Sequence, residues 1–147
     1  MNRNLYFDRL LAIVQSITWG SPSAPRSFVT TSRRLRSFAD TAEQPAAYLS
    51  SGDELFSQRT GLPYSVTLEA KLVIYHQAGG DEYVTPDEET SMIMDAVQAA
   101  LAPPEVDERQ TLGGLVHHCW IDGTVMKDSG DLDGQAVIVV PIKMLVP

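Results

Sequence analysis

Residues 111–120, TLGGLVHHCW, contain the side chains of this chain that could do chemistry. They include the adjacent histidines His117 and His118 and the single cysteine, Cys119. Tetrahedral zinc requires at least three converging protein ligands, and the remaining histidine, His76, has no CxxC or HxxxH partner. A nucleophilic cysteine needs a histidine that meets it in a polar, partly exposed setting. We therefore expect neither a metal centre nor a Cys/His nucleophile here.

The pattern around these residues instead predicts a structural role. We expect a strand at about 114–127, in which neighbouring side chains point to opposite faces. His117 and Cys119 would then share a face with three apolar residues, Leu115, Ile121 and Val125. We predict that replacing Cys119 or His117 by alanine lowers stability without abolishing a specific chemistry.

The acidic segment DSGDLDG resembles part of a calcium loop, but its spacing does not support a calcium site. With Asp131, Asp133 and Gly134 at loop positions 3, 5 and 6, Val140 falls at position 12, where a bidentate glutamate is required. A hairpin turn with glycine at positive φ explains the segment better. The chain also contains no GxGxxG, P-loop, GxSxG or HExxH pattern. We therefore expect no metal, no cofactor and no enzyme activity.

Charge is unevenly placed along the chain, whose formal net charge is −8. Residues 1–36 contain six arginines against one aspartate, and residues 81–133 contain thirteen carboxylates against Arg109 and Lys127. Such a separation can steer association between copies or with a partner. The acidic overall balance argues against nucleic-acid binding as the main function, because that binding needs clustered cations.

Arg33, Arg34 and Arg36 are either ordinary surface charge or part of a docking surface. Three arginines within four positions repel one another, and nothing acidic lies between Asp8 and Asp40. We expect at least one of them to meet a more distant carboxylate, with the acidic segment as the natural supplier, from the same chain or another copy. The three arginines are therefore candidate interface residues.

The chain carries no sequence signal for a membrane or for export. No apolar run approaches the roughly 20 residues that span a bilayer. Asp8, Arg9 and Gln15 interrupt the apolar stretch near the N-terminus, which we therefore do not interpret as a signal peptide. A lone cysteine fits a reducing compartment. We expect a protein that is made in the cytosol and does not enter a membrane.

The elements that position these residues begin with a helix. Asn4 can cap it, and one buried stripe follows the helical spacing: Leu10, Ile13, Val14 and Ile17. GSPSAP then ends the helix. We expect next a strand or strand-like arm at 28–38, a turn at 40–45, a short strand at 46–51, an exposed loop or hairpin tip at 52–63, a strand at 64–76 and a break at 77–84.

The second half begins with a helix and ends with two strands. Thr85 can cap the helix, Pro86 suits its first turn and Glu88 completes a capping box. Two long strands should follow, at about 114–127 and 135–146, joined by a turn. This order predicts a single domain over residues 1–147 of the α+β class, with a mixed, mostly antiparallel β-sheet, two helices packed on one face and long β-hairpin arms.

The strand predicted at 135–146 is apolar on both faces. Strands that protein covers on both sides have this composition. We expect a helix layer on one face and another cover on the other, with a neighbouring subunit over Val137 and Val139 as a candidate. Pro141 cannot donate to a strand ladder, so we place it at an edge or a bulge.

The order of motifs over nearly the whole chain resembles that of a known family. A short N-terminal helix precedes SRRLRSFADTAEQPAAYL, a strand and an acidic-capped helix that ends in DAVQAALAP. QTLGGLVHHCWIDGTV follows, and the chain closes on AVIVVPIKMLVP. This order, with LGG before a long strand and a VPI…VP close, is similar to that of the tail terminator, or tail completion, proteins of tailed bacteriophages.

The resemblance implies a structural virion protein with a mixed α/β fold and no catalytic residues. Members of this family form a hexameric ring on the tail tube protein, stop tube growth and present a docking surface to the head–tail connector protein. The chain would be made in the bacterial host cytoplasm and lie in the tail or neck of the virion. DNA would pass through the lumen without specific binding, repelled by acidic helix-start and turn residues.

A ring also requires unlike surfaces on neighbouring copies. The basic N-terminal and acidic C-terminal segments could supply such surfaces.

Three alternatives stay open at this point. A head–tail connector or head-completion protein could have the same size and also form rings, and would bind tail-less heads rather than isolated tails. A small bacterial ligand-binding regulatory domain would persist as a monomer or dimer that a metabolite stabilises. An enzyme that uses His117 or His118 would lose turnover when that histidine is replaced.

Overall fold

A computed structural model describes residues 1–78 and 85–147 of the chain. These residues form two helices and eight mostly antiparallel strands, which confirms the predicted α+β class. No helix in these ranges is long and apolar enough to cross a membrane. In chain order the elements are α1 (Arg3–Gln15), β1 (Thr18–Ser21), β2 (Ala24–Ser27), β3 (Thr30–Ser32), β4 (Ala46–Ser57), β5 (Ser65–Gln77), α2 (Pro86–Ala100), β6 (His118–Ile121), β7 (Met126–Asp128) and β8 (Gln135–Val146).

The main sheet has the strand order β3-β4-β5-β8-β6, and β7 pairs with β8 on the same side as β6. β5 and β8 form its centre and are paired antiparallel from Val66 opposite Val146 to Gln77 opposite Gln135. The β3–β4 pair is parallel, and the other pairs in the described ranges are antiparallel. β1 and β2 form a separate hairpin. β4–β5 and β5–β8 are the two longest strand pairings in the described ranges.

One face of the main sheet carries the hydrophobic core, and both helices pack on it. Alternate residues of β5 and β8 lie on this face and are at most 2% exposed: Val66, Leu68, Ala70, Leu72, Ile74, Ile138, Val140, Ile142, Met144 and Val146. Leu10 and Val14 of α1 and Ile93 and Val97 of α2 belong to the same cluster. This arrangement confirms the prediction of two helices on one face. We call it the helix face and the opposite side of the sheet the open face.

α1 begins earlier than predicted. Asn2, and not Asn4, caps the helix, because the Asn2 Oδ1 accepts the Leu5 N–H at 3.1 Å. The predicted apolar stripe is present, with Leu10 and Val14 fully buried. Asn4 lies within the first turn, so the predicted cap was wrong by two residues.

α2 begins where the sequence predicted, but without the capping box. Thr85 occupies the N-cap and Pro86 the first turn, yet the Thr85 side chain makes no capping hydrogen bond. The carboxylate of Asp87 instead accepts hydrogen bonds from Ser91 at 3.4 Å and Ser129 at 2.8 Å. The start of α2 is thus tied to the segment that precedes β8.

The strands of the first half differ in extent from the prediction. Of the arm predicted at 28–38, only Thr30–Ser32 is strand, because the chain then leaves the sheet and the Tyr75 hydroxyl binds the Arg36 carbonyl at 2.8 Å. The strand predicted at 46–51 continues to Ser57, since β5 offers a long antiparallel partner across a bulge between Ser51 and Glu54. The GSPSAP segment does not end α1 as predicted, because the helix already ends at Gln15 and the segment lies within the β1–β2 hairpin. Of the break predicted at 77–84, residues 79–84 lie outside the described residues.

The long strand predicted at 114–127 was wrong, because two short strands occupy this segment. Gly113 and Gly114 have positive φ values of 77° and 87°, and they form a turn in which three successive N–H groups point to the Thr111 carbonyl. β6 therefore begins only at His118. A second bend at Gly123, with φ of 111°, separates β6 from β7.

Pro141 lies in the central strand β8, and the pairing of β8 with β5 shows no register shift there, so the predicted position at an edge or a bulge was wrong. The ladder is nevertheless interrupted beside it, since β6 pairs with residues 142–145 and β7 with residues 137–139. The Pro141 carbonyl accepts the Asp122 N–H at 3.1 Å on that side. The nitrogen of a strand residue faces the same side as its carbonyl, so the missing N–H falls where the neighbouring strand is broken.

Candidate interaction surfaces

The His117–Cys119 stretch is divided between two faces of the sheet. Cys119 is 1% exposed and belongs to the core cluster on the helix face, whereas His117 is exposed. His118 lies on the open face, stacked on Trp120 with ring centroids 4.9 Å apart. The prediction that His117 and Cys119 share an apolar face was wrong, because β6 begins only at His118, just after the turn whose last N–H to the Thr111 carbonyl is that of Val116. The His117 N–H already donates to the Leu145 carbonyl at 2.8 Å, but its side chain is exposed.

The surroundings of Cys119 do not favour thiolate chemistry. Burial raises the pKa of its thiol to about 12, so the nucleophilic form is scarce near neutral pH. Within residues 1–78 and 85–147, no group of three or more His, Cys, Asp and Glu side chains could hold a metal ion. His76, the remaining histidine, is buried on the helix face, where its Nε2 lies 2.9 Å from the Thr90 Oγ1 of α2.

The acidic turn, residues 128–134, uses two of its carboxylates to fix its own backbone. Asp128 Oδ1 accepts the Gly130 N–H at 2.9 Å, and Asp133 Oδ1 accepts the Gln135 N–H at 2.9 Å. Gly130 and Gly134 have positive φ values of 76° and 74°, as a turn between β7 and β8 requires. The segment is thus an ordered hairpin turn that projects charged side chains.

Arg33 is committed to contacts within the chain. Its Nη1 lies 3.1 Å from Asp8 Oδ1 and 3.1 Å from Asn4 Oδ1, and its guanidinium lies 5.1 Å from the ring centroid of Phe7. One arginine therefore meets a distant carboxylate, as expected, but that carboxylate comes from α1. The prediction that residues 81–133 supply it was wrong for Arg33. The partner of Arg26 does come from that segment, since its guanidinium pairs with Glu89.

Arg34 and Arg36 point their charges outward. Both are exposed, and neither forms an ion pair with any residue that the structure describes. Their backbone is held in place, because the Arg34 N–H donates to Ser32 Oγ at 3.0 Å and the Arg36 carbonyl accepts from the Tyr75 hydroxyl. With Leu35 and Asp40 they line an open groove of about 480 Å³. These two arginines form the basic part of a surface available to a partner.

Val137 and Val139 lie on the open face and are already partly covered by their own chain. They pack against a small cluster of buried residues on that face: Ala46, Tyr48, Val73 and Tyr75. Phe38 covers part of the same cluster, with its ring 5.4 Å from that of Tyr75. The segment after β3 therefore supplies the second cover over this end of the sheet. A neighbouring subunit over Val137 and Val139 stays a prediction.

Sequence reasoning missed an exposed apolar surface at the far end of β4. Every residue from 51 to 57 is exposed although it lies in a strand. Leu55 and Phe56 are 65% and 53% exposed, and Tyr64 stacks edge-on against Phe56 with centroids 6.0 Å apart. Leu62 is also exposed. The adjacent Leu55 and Phe56 were the available signal, since they point to opposite faces and cannot both enter one core. We call Leu55, Phe56, Leu62 and Tyr64 the apolar tip.

A charged notch of about 380 Å³ lies between the β4 bulge and the break that separates β6 from β7. Within it, Lys143 Nζ lies 2.7 Å from Asp122 Oδ2 and 4.0 Å from Glu69 Oε1. The Asp122 carboxylate raises the pKa of Lys143, and the Lys143 ammonium lowers the pKa of Asp122. Lys143 thus joins β5, β8 and the end of β6, and the notch as a whole carries three carboxylates and two lysines.

No protein-family model matches this chain, and neither does any curated protein. A functional proposal for this chain therefore depends on the surfaces of its structure. Two of them are available to another protein: the apolar tip and the groove at Arg34 and Arg36.

Proposed function

We propose that this chain is a structural virion protein that caps the tail tube of a tailed bacteriophage. In this proposal several copies, six by resemblance to the tail terminator family, form a ring on the last ring of tube protein. The ring stops tube polymerisation and offers the head–tail connector protein a docking surface. DNA passes through its centre without specific binding.

The observation that carries the proposal is the apolar tip. Four large apolar side chains stand in solvent within ten residues, at an end of β4. Among residues 1–78 and 85–147, the outer edge of β4 has no strand partner beyond Ser32 opposite Tyr48. Exposed apolar patches and free strand edges on a folded protein mark sites of contact with other proteins. A structural protein that works by assembly needs such a surface.

The ordered motifs quoted above and the α+β fold support the same proposal. The ion pair between Arg3 and Glu54, with Arg3 Nη2 2.7 Å from Glu54 Oε1, joins the start of α1 to the strand that bears the tip. The tip therefore projects from a fixed base, and a partner would lose little conformational entropy in ordering it.

The test is co-sedimentation of the purified chain with isolated phage tails and, separately, with tail-less heads. We expect the chain to pellet with tails that lack their cap. Leu55→Ser/Phe56→Ser should abolish pelleting while leaving the far-ultraviolet circular dichroism unchanged. Val29→Ser/Val106→Ser removes two apolar side chains that are 61% and 90% exposed but lie outside the tip, and it should pellet with tails like the parent chain.

Binding to heads but not to tails would favour the head-completion alternative and contradict the cap.

The charged notch favours one second candidate, a small ligand-binding regulatory domain. Its paired carboxylates and amines would suit a small zwitterion such as a free amino acid. A thermal-shift screen of the twenty amino acids tests this: a stabilisation that Lys143→Met removes would support the ligand-binding domain. The tail-cap proposal predicts no shift in the melting temperature with any of them.

A further inference from the structure

The two edges of the main sheet end in segments of opposite charge. One row of paired residues runs across the sheet from Thr30 through Ala46, Tyr75 and Val137 to Asp128. Four strand spacings separate the ends of this row, or about 19 Å. β3 leads into the arginine groove, and β7 leads into the acidic turn. The basic and acidic segments therefore leave the sheet from opposite edges.

The two segments have the same pattern with opposite charge. Arg34, Leu35 and Arg36 follow one another on the basic side, and Asp131, Leu132 and Asp133 on the acidic side. Leu35 is 48% exposed and Leu132 is fully exposed. Each segment thus presents one leucine to solvent between two charged side chains.

Both segments have an ordered backbone with unneutralised charge. The Tyr75 hydroxyl and Ser32 hold the basic segment, and the 2.9 Å hydrogen bond from the Gly134 N–H to the Gly130 carbonyl closes the acidic turn. Asp131 and Asp133, like Arg34 and Arg36, form no ion pair within the described part of the chain. Asp40 beside the groove accepts a hydrogen bond from Ser37 at 2.9 Å, and Lys127 precedes the acidic turn.

We propose that residues 131–133 of one copy dock into the Arg34–Arg36 groove of the next copy. Two Arg–Asp pairs form on either side of a contact between Leu132 and Leu35. Because the two segments lie at opposite edges, the contact is head to tail and repeats from copy to copy until it closes. This inference rests on the proposed ring and names the surfaces that join its subunits.

The test uses charge reversal and its rescue. Arg34→Glu/Arg36→Glu and Asp131→Arg/Asp133→Arg should each weaken self-association at least about tenfold, because each places like charges opposite one another. The quadruple variant with all four changes should associate like the parent. An equimolar mixture of the two double variants should also associate, as alternating copies, and would close only into rings with an even number of subunits. Sedimentation velocity measures each case.

Two controls separate the proposed contact from a general effect of charge. Glu105→Arg/Glu108→Arg makes the same change in net charge at exposed residues outside the acidic turn and should associate like the parent. Association of the parent should weaken when the salt concentration rises from about 50 to 300 mM, because the Debye length then shortens and the attraction between exposed charges is screened. Circular dichroism checks that each variant folds.

The outcomes distinguish this inference from the proposed function. If the parent associates and both double variants associate equally well, the docking contact is overturned while the ring stands. If the reversals behave as expected but the assembled particle does not bind tails, the tail-cap function fails and the docking contact stands. A parent that stays monomeric at every concentration tested overturns the docking contact.

Discussion

Cys119 and His117 lie two positions apart, yet one is 1% exposed and the other stands in solvent. Strand alternation would place both on one face, and it does not hold here because β6 begins only at His118, directly after the turn over residues 111–116. Gly113 and Gly114, which precede the histidines, indicated a turn in the sequence. They did not show at which residue the turn ends and the strand begins. Cys119 was correctly predicted to be buried: it lies in β6 opposite Met144, on the face that carries the core.

Cys119→Ala should lower the free energy of unfolding by about 1 kcal/mol, the usual cost of a core truncation of this size. His117→Ala should change it by less than about 0.5 kcal/mol, as exposed substitutions do, which corrects the cost expected from the sequence. Urea denaturation measures both. A larger loss for His117→Ala than for Cys119→Ala would contradict the assignment of faces.

The same burial should make the Cys119 thiol unreactive in the folded protein. With its pKa raised to about 12, the thiol is almost wholly protonated at pH 8, and its place in the core blocks access. Ellman's reagent should label it only at the rate of unfolding, and immediately in denaturing urea. Rapid labelling without denaturant would show that the site is open.

His76 should make stability depend on pH. Burial, followed by the nearby charge of Arg26, lowers its pKa in the folded state, so the unfolded chain binds the proton more readily. Its contribution is fully present above the unfolded pKa of about 6.5 and is lost as pH falls through that value toward the lower folded pKa. The free energy of unfolding should therefore fall as pH drops below about 6.5, by at most about 1.4 kcal/mol per pH unit.

His76→Gln should flatten that part of the profile, measured by urea denaturation at each pH. An equal slope in the variant and the parent would assign the acid sensitivity to other groups.

At the scale of elements, the sequence located the strands that are long enough for their alternation of apolar and polar residues to be recognised. β5 and β8 alternate over more than ten residues and were located to within a residue or two, whereas β6 and β7 are too short to show a period. Residues 52–63 were interpreted as an exposed loop or hairpin tip, and they form the outer part of the β4–β5 hairpin, which pairs from Glu54 opposite Leu68 to Ser57 opposite Ser65. The sequence did not show how far the strand extends, because strand residues without a covering layer show no apolar alternation.

The turn before β8 offers a test of this element-level account. Gly130 has φ of 76°, and a Cβ there would lie 3.0 Å from backbone atoms of Gln135 and Ala136. Gly61 has a similar φ of 80° with nothing within 4 Å of such a Cβ. Gly61→Ala should cost about 1 kcal/mol from the left-handed backbone alone, and Gly130→Ala should cost clearly more. Equal costs in thermal or urea denaturation would show that the turn is loosely packed.

At the scale of the whole molecule, the charge separation seen in the sequence is partly neutralised by folding. Arg3, Arg26 and Arg33 pair with Glu54, Glu89 and Asp8, so half of the six N-terminal arginines are occupied inside the chain. Of the other three, Arg9, Arg34 and Arg36, none forms an ion pair within the described residues, and Arg34 and Arg36 lie together at the open groove. The sequence did not show that Arg33 faces inward, since that depends on where α1 packs. The interface role of Arg34 and Arg36 stays a prediction.

Arg33→Gln should therefore behave differently from Arg34→Gln/Arg36→Gln. The first loses an exposed ion pair and a contact over Phe7 and should reduce stability by about 1 kcal/mol or less, with little effect on self-association. The second should leave the melting temperature unchanged and weaken self-association, with a smaller response to salt. Paired thermal melts and sedimentation runs measure both, and the reverse pattern would mean that Arg33 carries the contact.

The central claim is that copies of this chain close into a ring on the end of the tail tube. Electron microscopy of tube protein polymerising with and without the purified chain tests it most directly. We predict a closed, sixfold ring at one end of each tube and growth that stops once the ring is in place. Tubes that lengthen equally in both samples, with bare ends and the chain free in solution, would contradict the account.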